Sequence, residues 1–146
     1  MTKPWFDPRV PEADACVLKP VLERWAREKP DAVFARFEDG SEWTWAHTLQ
    51  ITRRTAAGLQ ALGVKQGDNV LSWLPNGPDA IRVWFALNYL GAVYVPVNLA
   101  YRGQLLAHVV RVSKARLMVA HAALADRMTD LRDVALREVL LLHGDG

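Results

Sequence analysis

The chain has 146 residues, 51% of them hydrophobic and 23% charged, which excludes a disordered tail, a collagen-like repeat and a disulfide scaffold. A chain of this length buries roughly 68–70% of the surface that its unfolded form exposes, so a packed core is the default. Eighteen basic and sixteen acidic side chains leave a formal charge of +2, too balanced for a nucleic-acid or anionic-membrane surface, so any phosphate site has to be local.

The single cysteine, Cys16, allows no internal disulfide and no cysteine metal cluster, and it reads as a small buried or half-buried filler. The lead from Met1 to Cys16 reads as irregular, and Pro4, Asp7, Pro8 and Pro11 interrupt it where a signal peptide needs an apolar stretch. No apolar run approaches the roughly 20 residues that cross a bilayer, so the expected location is cytoplasmic.

In chain order, Val17 to Lys29 carries Val17, Leu18, Val21, Leu22 and Trp25 at helical spacing and predicts a surface helix that Pro30 stops. Val33 to Phe37 alternates as a strand, Glu38 to Ser41 reverses the chain, and Trp43 to Trp45 returns. Thr44 predicts the cap of a long helix with the inner stripe Leu49, Thr52, Ala56 and Leu59, which Gly63 ends. Val70 to Leu74 predicts a strand, and Pro78 the first position of a helix over Asp79 to Leu90. That helix is apolar nearly all round, which suits an inner helix packed between a sheet and another layer.

The alternation continues with a strand over Ala92 to Val95, a helix over Leu105 to Val112 and a strand over Leu117 to Ala120. Helical residues then follow over Ala122 to Arg137, with a last strand over Val139 to Leu142. Short apolar strands alternating with helices predict an α/β fold with a mostly parallel sheet flanked by helices. The last strand runs off into a loop where such a sheet places its ligand loops, so residues 17–146 read as a subdomain that is cut there.

Gly63 to Asp68 holds glycines and a lysine, but it follows a helix and precedes a strand, the wrong order for a phosphate cradle. Asn76-Gly77-Pro78 has the right order, yet Pro78 removes an amide, and its reading is a helix start. His47, His108, His121 and His143 lack metal-ligand spacing, and Ser41, Ser72 and Ser113 lack the glycines of a nucleophile elbow. Arg102, Arg111, Lys114 and Arg116, with Tyr101 beside them, gather around one helix. They form either a solvated helix face or a phosphate contact.

Two segments exceed fold grammar. Trp43-Thr44-Trp45-Ala46-His47-Thr48-Leu49 resembles the first core motif of adenylate-forming enzymes, and Leu87-Asn88-Tyr89-Leu90-Gly91-Ala92-Val93-Tyr94-Val95-Pro96-Val97-Asn98 resembles the second. The text between them, Leu62 to Val70 and Leu74-Pro75-Asn76, is similar to acyl-CoA synthetases, and Asn98 to Gly103 is similar to the carnitine and crotonobetaine CoA ligase branch. The resemblance implies the N-terminal part of an AMP-forming acyl-CoA synthetase, with a place in fatty acid metabolism. Such an enzyme converts a carboxylate and ATP into an acyl adenylate and then a thioester of CoA.

The resemblance also implies ATP, magnesium and CoA for a full-length enzyme and none bound by this stretch, whose two motifs serve as scaffold. The family's Ser/Thr/Gly-rich loop, ribose-binding aspartate and catalytic lysine have no counterpart in this sequence, so no residue is expected to be catalytic. Many relatives carry an arginine two residues after the motif's asparagine; here Ala100 stands there, and Arg102 is the candidate contact to a CoA phosphate. The expected partners are the downstream segments of the enzyme and a second copy of the chain, met through apolar surface around Ile81, Trp84, Phe85 and Leu87. The competing reading is a stand-alone interaction module that keeps the scaffold without catalysis. A dehydrogenase-type nucleotide domain lacks its glycine fingerprint here.

Overall fold

The computed structural model describes residues 13–131 and 136–143. A short 3-10 turn, Ala13–Cys16, leads into helix α1, Leu18–Glu28, the hairpin strands β1, Val33–Arg36, and β2, Glu42–Thr44, and helix α2, Trp45–Ala61. The parallel unit follows as β3, Asn69–Trp73, α3, Pro78–Leu90, β4, Val93–Pro96, α4, Gly103–Ser113, and β5, Leu117–His121. A 3-10 segment, Ala122–Asp130, and β6, Glu138–Leu142, complete it.

β1 and β2 pair antiparallel, and β4, β3, β5 and β6 form one sheet in that order with every pair parallel. The chain moves from β3 to the neighbouring β4 through α3 on one face. It then crosses back over β3 to β5 through α4 on the other face, so these crossovers share one hand, as the right-handed rule for parallel units requires. The period of two along each strand separates the faces. Val70, Leu74, Leu117 and Val119 join Val83, Ala86 and Leu87 of α3 in one core, whereas Leu71, Trp73, Met118 and Ala120 join Leu106 and Val110 of α4 in the other. Full burial of an aliphatic side chain such as Leu71 or Leu106 contributes about 1.5–3 kcal/mol.

The local signals read from the sequence reappear as contacts. The Thr44 hydroxyl accepts the His47 N–H at 3.2 Å and opens α2. Asp39 accepts the Ser41 N–H at 2.8 Å and its hydroxyl at 2.7 Å, closing the hairpin turn. These two bonds hold the Asp39 carboxyl below the usual carboxylate range.

Three expectations are corrected. The apolar surface expected around Ile81, Trp84, Phe85 and Leu87 of α3 is largely covered: α1 and α2 supply the second layer over this helix, and Phe85, 5% exposed, meets Phe34 at 5.5 Å between ring centroids. Cys16 is exposed, because it sits on the short turn ahead of the apolar face of α1. The helical stretch after β5 is a 3-10 segment that ends at Asp130, with residues 132–135 of the reading outside the described part. Arg137 instead directly precedes β6, its N–H bonding the Arg116 carbonyl at 2.8 Å. Residues 1–12 of the irregular lead and 144–146 also lie outside the described part. No helix among the described residues is long and apolar enough to cross a membrane.

Candidate functional site

The loops after the parallel strands all emerge at one edge of the sheet. β3 sends its chain to the α3 face and β5 to the opposite face, so the strand order switches between these neighbours. A crevice beyond the carboxyl ends of such a pair is where open α/β sheets bind ligands.

A cavity of about 950 Å³ lies at this edge. The hairpin turn and α2 form one wall through Ser41, Trp43, Ile51, Arg54 and Thr55. The loop Pro75–Pro78 and the start of α3 form another, and His121, Leu140 and Leu142 line it from the sheet. The volume is within the range of small-molecule sites. Arg82 projects from the first turns of α3, and its guanidinium donates to Asp79 Oδ1 at 2.8 Å. Its buried Nε has no hydrogen-bond partner among the described residues. His121 ends β5, and its Nδ1 accepts the Ala123 N–H at 3.2 Å, so Nε2 carries the proton of the neutral ring.

On the same edge, the loop after β4 is fixed by the second motif. Asn98 accepts the Ala100 N–H on its side-chain oxygen at 2.9 Å, and its carbonyl accepts the Trp73 indole N–H at 3.1 Å. Arg127 donates to the Leu99 carbonyl at 2.8 Å. Gly91 closes α3 in the left-handed region at φ 72°. These are positioning roles, in keeping with motifs that build a scaffold.

Arg102 is the N-cap residue of α4 and is exposed, with no side-chain cap bond. The cationic group suggested around α4 is divided. Lys114 is the C-cap of the same helix, and the rise of 1.5 Å per residue from the N-cap to the C-cap sets it roughly 18 Å from Arg102. Lys114 and Arg116 instead line a recess with Arg137 and Glu138 at the opposite, amino-terminal edge of the sheet. Arg54, Arg82 and His121 carried no individual signal in the sequence, because three different elements bring them together.

The described residues bring together no group of three His, Cys, Asp or Glu side chains that would hold a metal ion.

A parallel three-layer α/β unit with its loops gathered at the carboxyl edge, and with both motif segments at strand-to-helix or helix-to-strand junctions, defines the class: the N-terminal unit of an adenylate-forming enzyme. The chain belongs to the AMP-binding enzyme family, whose model matches residues 22–145.

The relatives fall within acyl-CoA ligation. Over 103 residues the chain is 33% identical to 4-coumarate--CoA ligase 4 of Arabidopsis thaliana, covering 70% of this chain and 18% of that protein. It is 31% identical over 114 residues to crotonobetaine/carnitine--CoA ligase of Escherichia coli O139:H28, covering 73% and 22%. A long-chain-fatty-acid-CoA ligase of Archaeoglobus fulgidus shares the fold at a TM-score of 0.79 and 23% identity, with 88% of this chain and 28% of that one covered. The chain thus spans about a fifth of the length of the curated relatives described.

Proposed function

We propose that this chain supplies the N-terminal scaffold of an ATP-dependent, AMP-forming acyl-CoA synthetase and does not catalyse adenylation by itself. The observation that carries the reading is the second motif in place. Gly91 ends α3, β4 follows, and Asn98 holds the loop that presents Arg102 at the carboxyl edge of the sheet. This chain's own residues orient that loop and offer one cation to a phosphate, and Arg102 is the proposed contact to CoA. When bound in a complete enzyme, ATP with magnesium supplies the activated adenylyl group and CoA the accepting thiol. The sequence holds no Ser/Thr/Gly-rich loop with its lysine and no catalytic lysine motif of the family, which supports inactivity of this stretch alone.

Carboxylate-dependent exchange of pyrophosphate into ATP tests the proposal. With fatty, aromatic and betaine-type acids the 146-residue chain is expected to stay at the buffer blank. Exchange above the blank with any of them overturns the inactivity.

A further inference from the structure

We propose that the recess at the amino-terminal edge of the sheet binds a small anion carrying two or more negative charges, a phosphate monoester or a polycarboxylate. This goes beyond the scaffold reading, because the recess lies at the opposite edge of the sheet from the loop that presents Arg102. Its volume of about 460 Å³ is within the range of small-molecule sites.

Three cations reach the recess from three stretches of chain: Lys114 from the end of α4, Arg116 from the link into β5, and Arg137 from the residue before β6. The register sets Leu117 against Glu138, and the Arg116 carbonyl accepts the Arg137 N–H at 2.8 Å and the Glu138 N–H at 3.1 Å. The two arginines therefore stand side by side where neighbouring strands run about 4.8 Å apart. Like charges held opposite each other in a sheet repel. None of the three cations has an ion pair or a side-chain hydrogen bond with a described residue. Of the two acids that line the recess, Asp68 accepts the Lys65 N–H on Oδ2 at 2.8 Å, and only Glu138 makes no side-chain hydrogen bond.

An anion that bridges Arg116 and Arg137 removes their repulsion, and a group with several anionic oxygens accepts from both guanidinium forks at once. A monocarboxylate has a single charge to divide between them. Lys114 is a second, independent observation. Among the described residues it is the one non-glycine in the left-handed region, at φ 54°, where the end of a helix ordinarily takes glycine. A strained backbone that carries a charged side chain into a recess is a pattern of functional sites.

Titration of the isotope-labelled chain by NMR and calorimetry at fixed ionic strength tests the site, with glycerol phosphate, citrate and acetate as probes. Saturable binding of glycerol phosphate or citrate is expected, with shifts at the amides of Asp68, Lys114 and Glu138 and with acetate weaker by about tenfold. The tighter of the two identifies phosphate or carboxylate as the source of the charge. Arg116→Gln and Arg137→Gln break no side-chain bond seen in the structure; each should weaken that anion by about tenfold with the circular dichroism spectrum unchanged, whereas Glu138→Gln should tighten it. Lys114→Gly should raise the melting temperature and weaken the anion together, a pairing that a purely structural lysine does not produce. Equal affinity for acetate, affinity unmoved by both arginine variants, shifts confined to other surfaces, or no saturable binding at millimolar probe overturns the proposal.

Discussion

The Tyr89 hydroxyl donates to Glu23 Oε1 at 2.6 Å and ties α3 to α1, while Arg53 of α2 donates to the same carboxylate oxygen at 3.2 Å and to the Tyr89 oxygen at 3.0 Å. Three helices thus meet at one partly exposed polar junction, with the Lys19 ammonium 4.7 Å from the Tyr89 ring centroid. The hydrogen bond from Tyr89 is the foremost cause holding the Glu23 carboxyl below its ordinary value of 4.5, followed among the lowering effects by Arg53, while desolvation opposes them.

Tyr89→Phe removes that donor and is expected to cost about 1 kcal/mol, read from urea unfolding. The pH dependence has a definite sign. A carboxyl whose folded value is depressed contributes stability that is present above its unfolded value of 4.5 and is lost as pH falls through the lower folded value. Stability of the native chain should therefore fall more steeply below that pH than stability of Tyr89→Phe. Parallel curves for the two proteins would remove the junction's role.

Gly91→Ala tests the turn between α3 and β4. The position has φ 72°, and a Cβ there would meet Gln66 Cγ at 3.0 Å. The left-handed conformation alone costs an alanine about 1–2 kcal/mol, and the contact adds to it. Thermal unfolding should show the loss, and Gln66→Ala in the Gly91→Ala background should recover the part due to the contact. An unchanged melting temperature for Gly91→Ala would show that this turn tolerates a side chain.

Self-association is expected through α4. Leu105 and Val112 are 51% and 63% exposed and, with half-buried Val109 between them, occupy positions i, i+4 and i+7 of one stripe. The surface foreseen on α3 shrinks to Trp84, 45% exposed, because Phe85 and Leu87 are buried beneath α1, α2 and the hairpin. Sedimentation equilibrium at micromolar concentration should show a two-fold dimer, in which one patch covers its own copy. Leu105→Glu with Val112→Glu should return it to monomer. A strictly monomeric native chain would refute the association.

What the sequence determined by itself is the succession of elements and the chemistry of their ends. The Thr44 cap, the Pro78 helix start and the Gly91 stop depend on residues within one turn of each other, and the apolar period of each strand or helix is equally local. The two motifs were legible for the same reason, being contiguous. The antiparallel hairpin and the parallel sheet followed from that alternation.

Only the tertiary structure decided which side chains share a space. Arg102 and Lys114 are near in sequence yet stand at opposite ends of α4, whereas Arg54, Arg82 and His121 line one cavity from α2, α3 and the end of β5. Exposure was decided in the same way: Phe85 and Trp84 are adjacent and equally apolar, but the 100° step between successive helical residues turns one inward and leaves the other at the surface. Periodicity gives each element its faces, and the sheet order and the crossovers then choose what those faces meet.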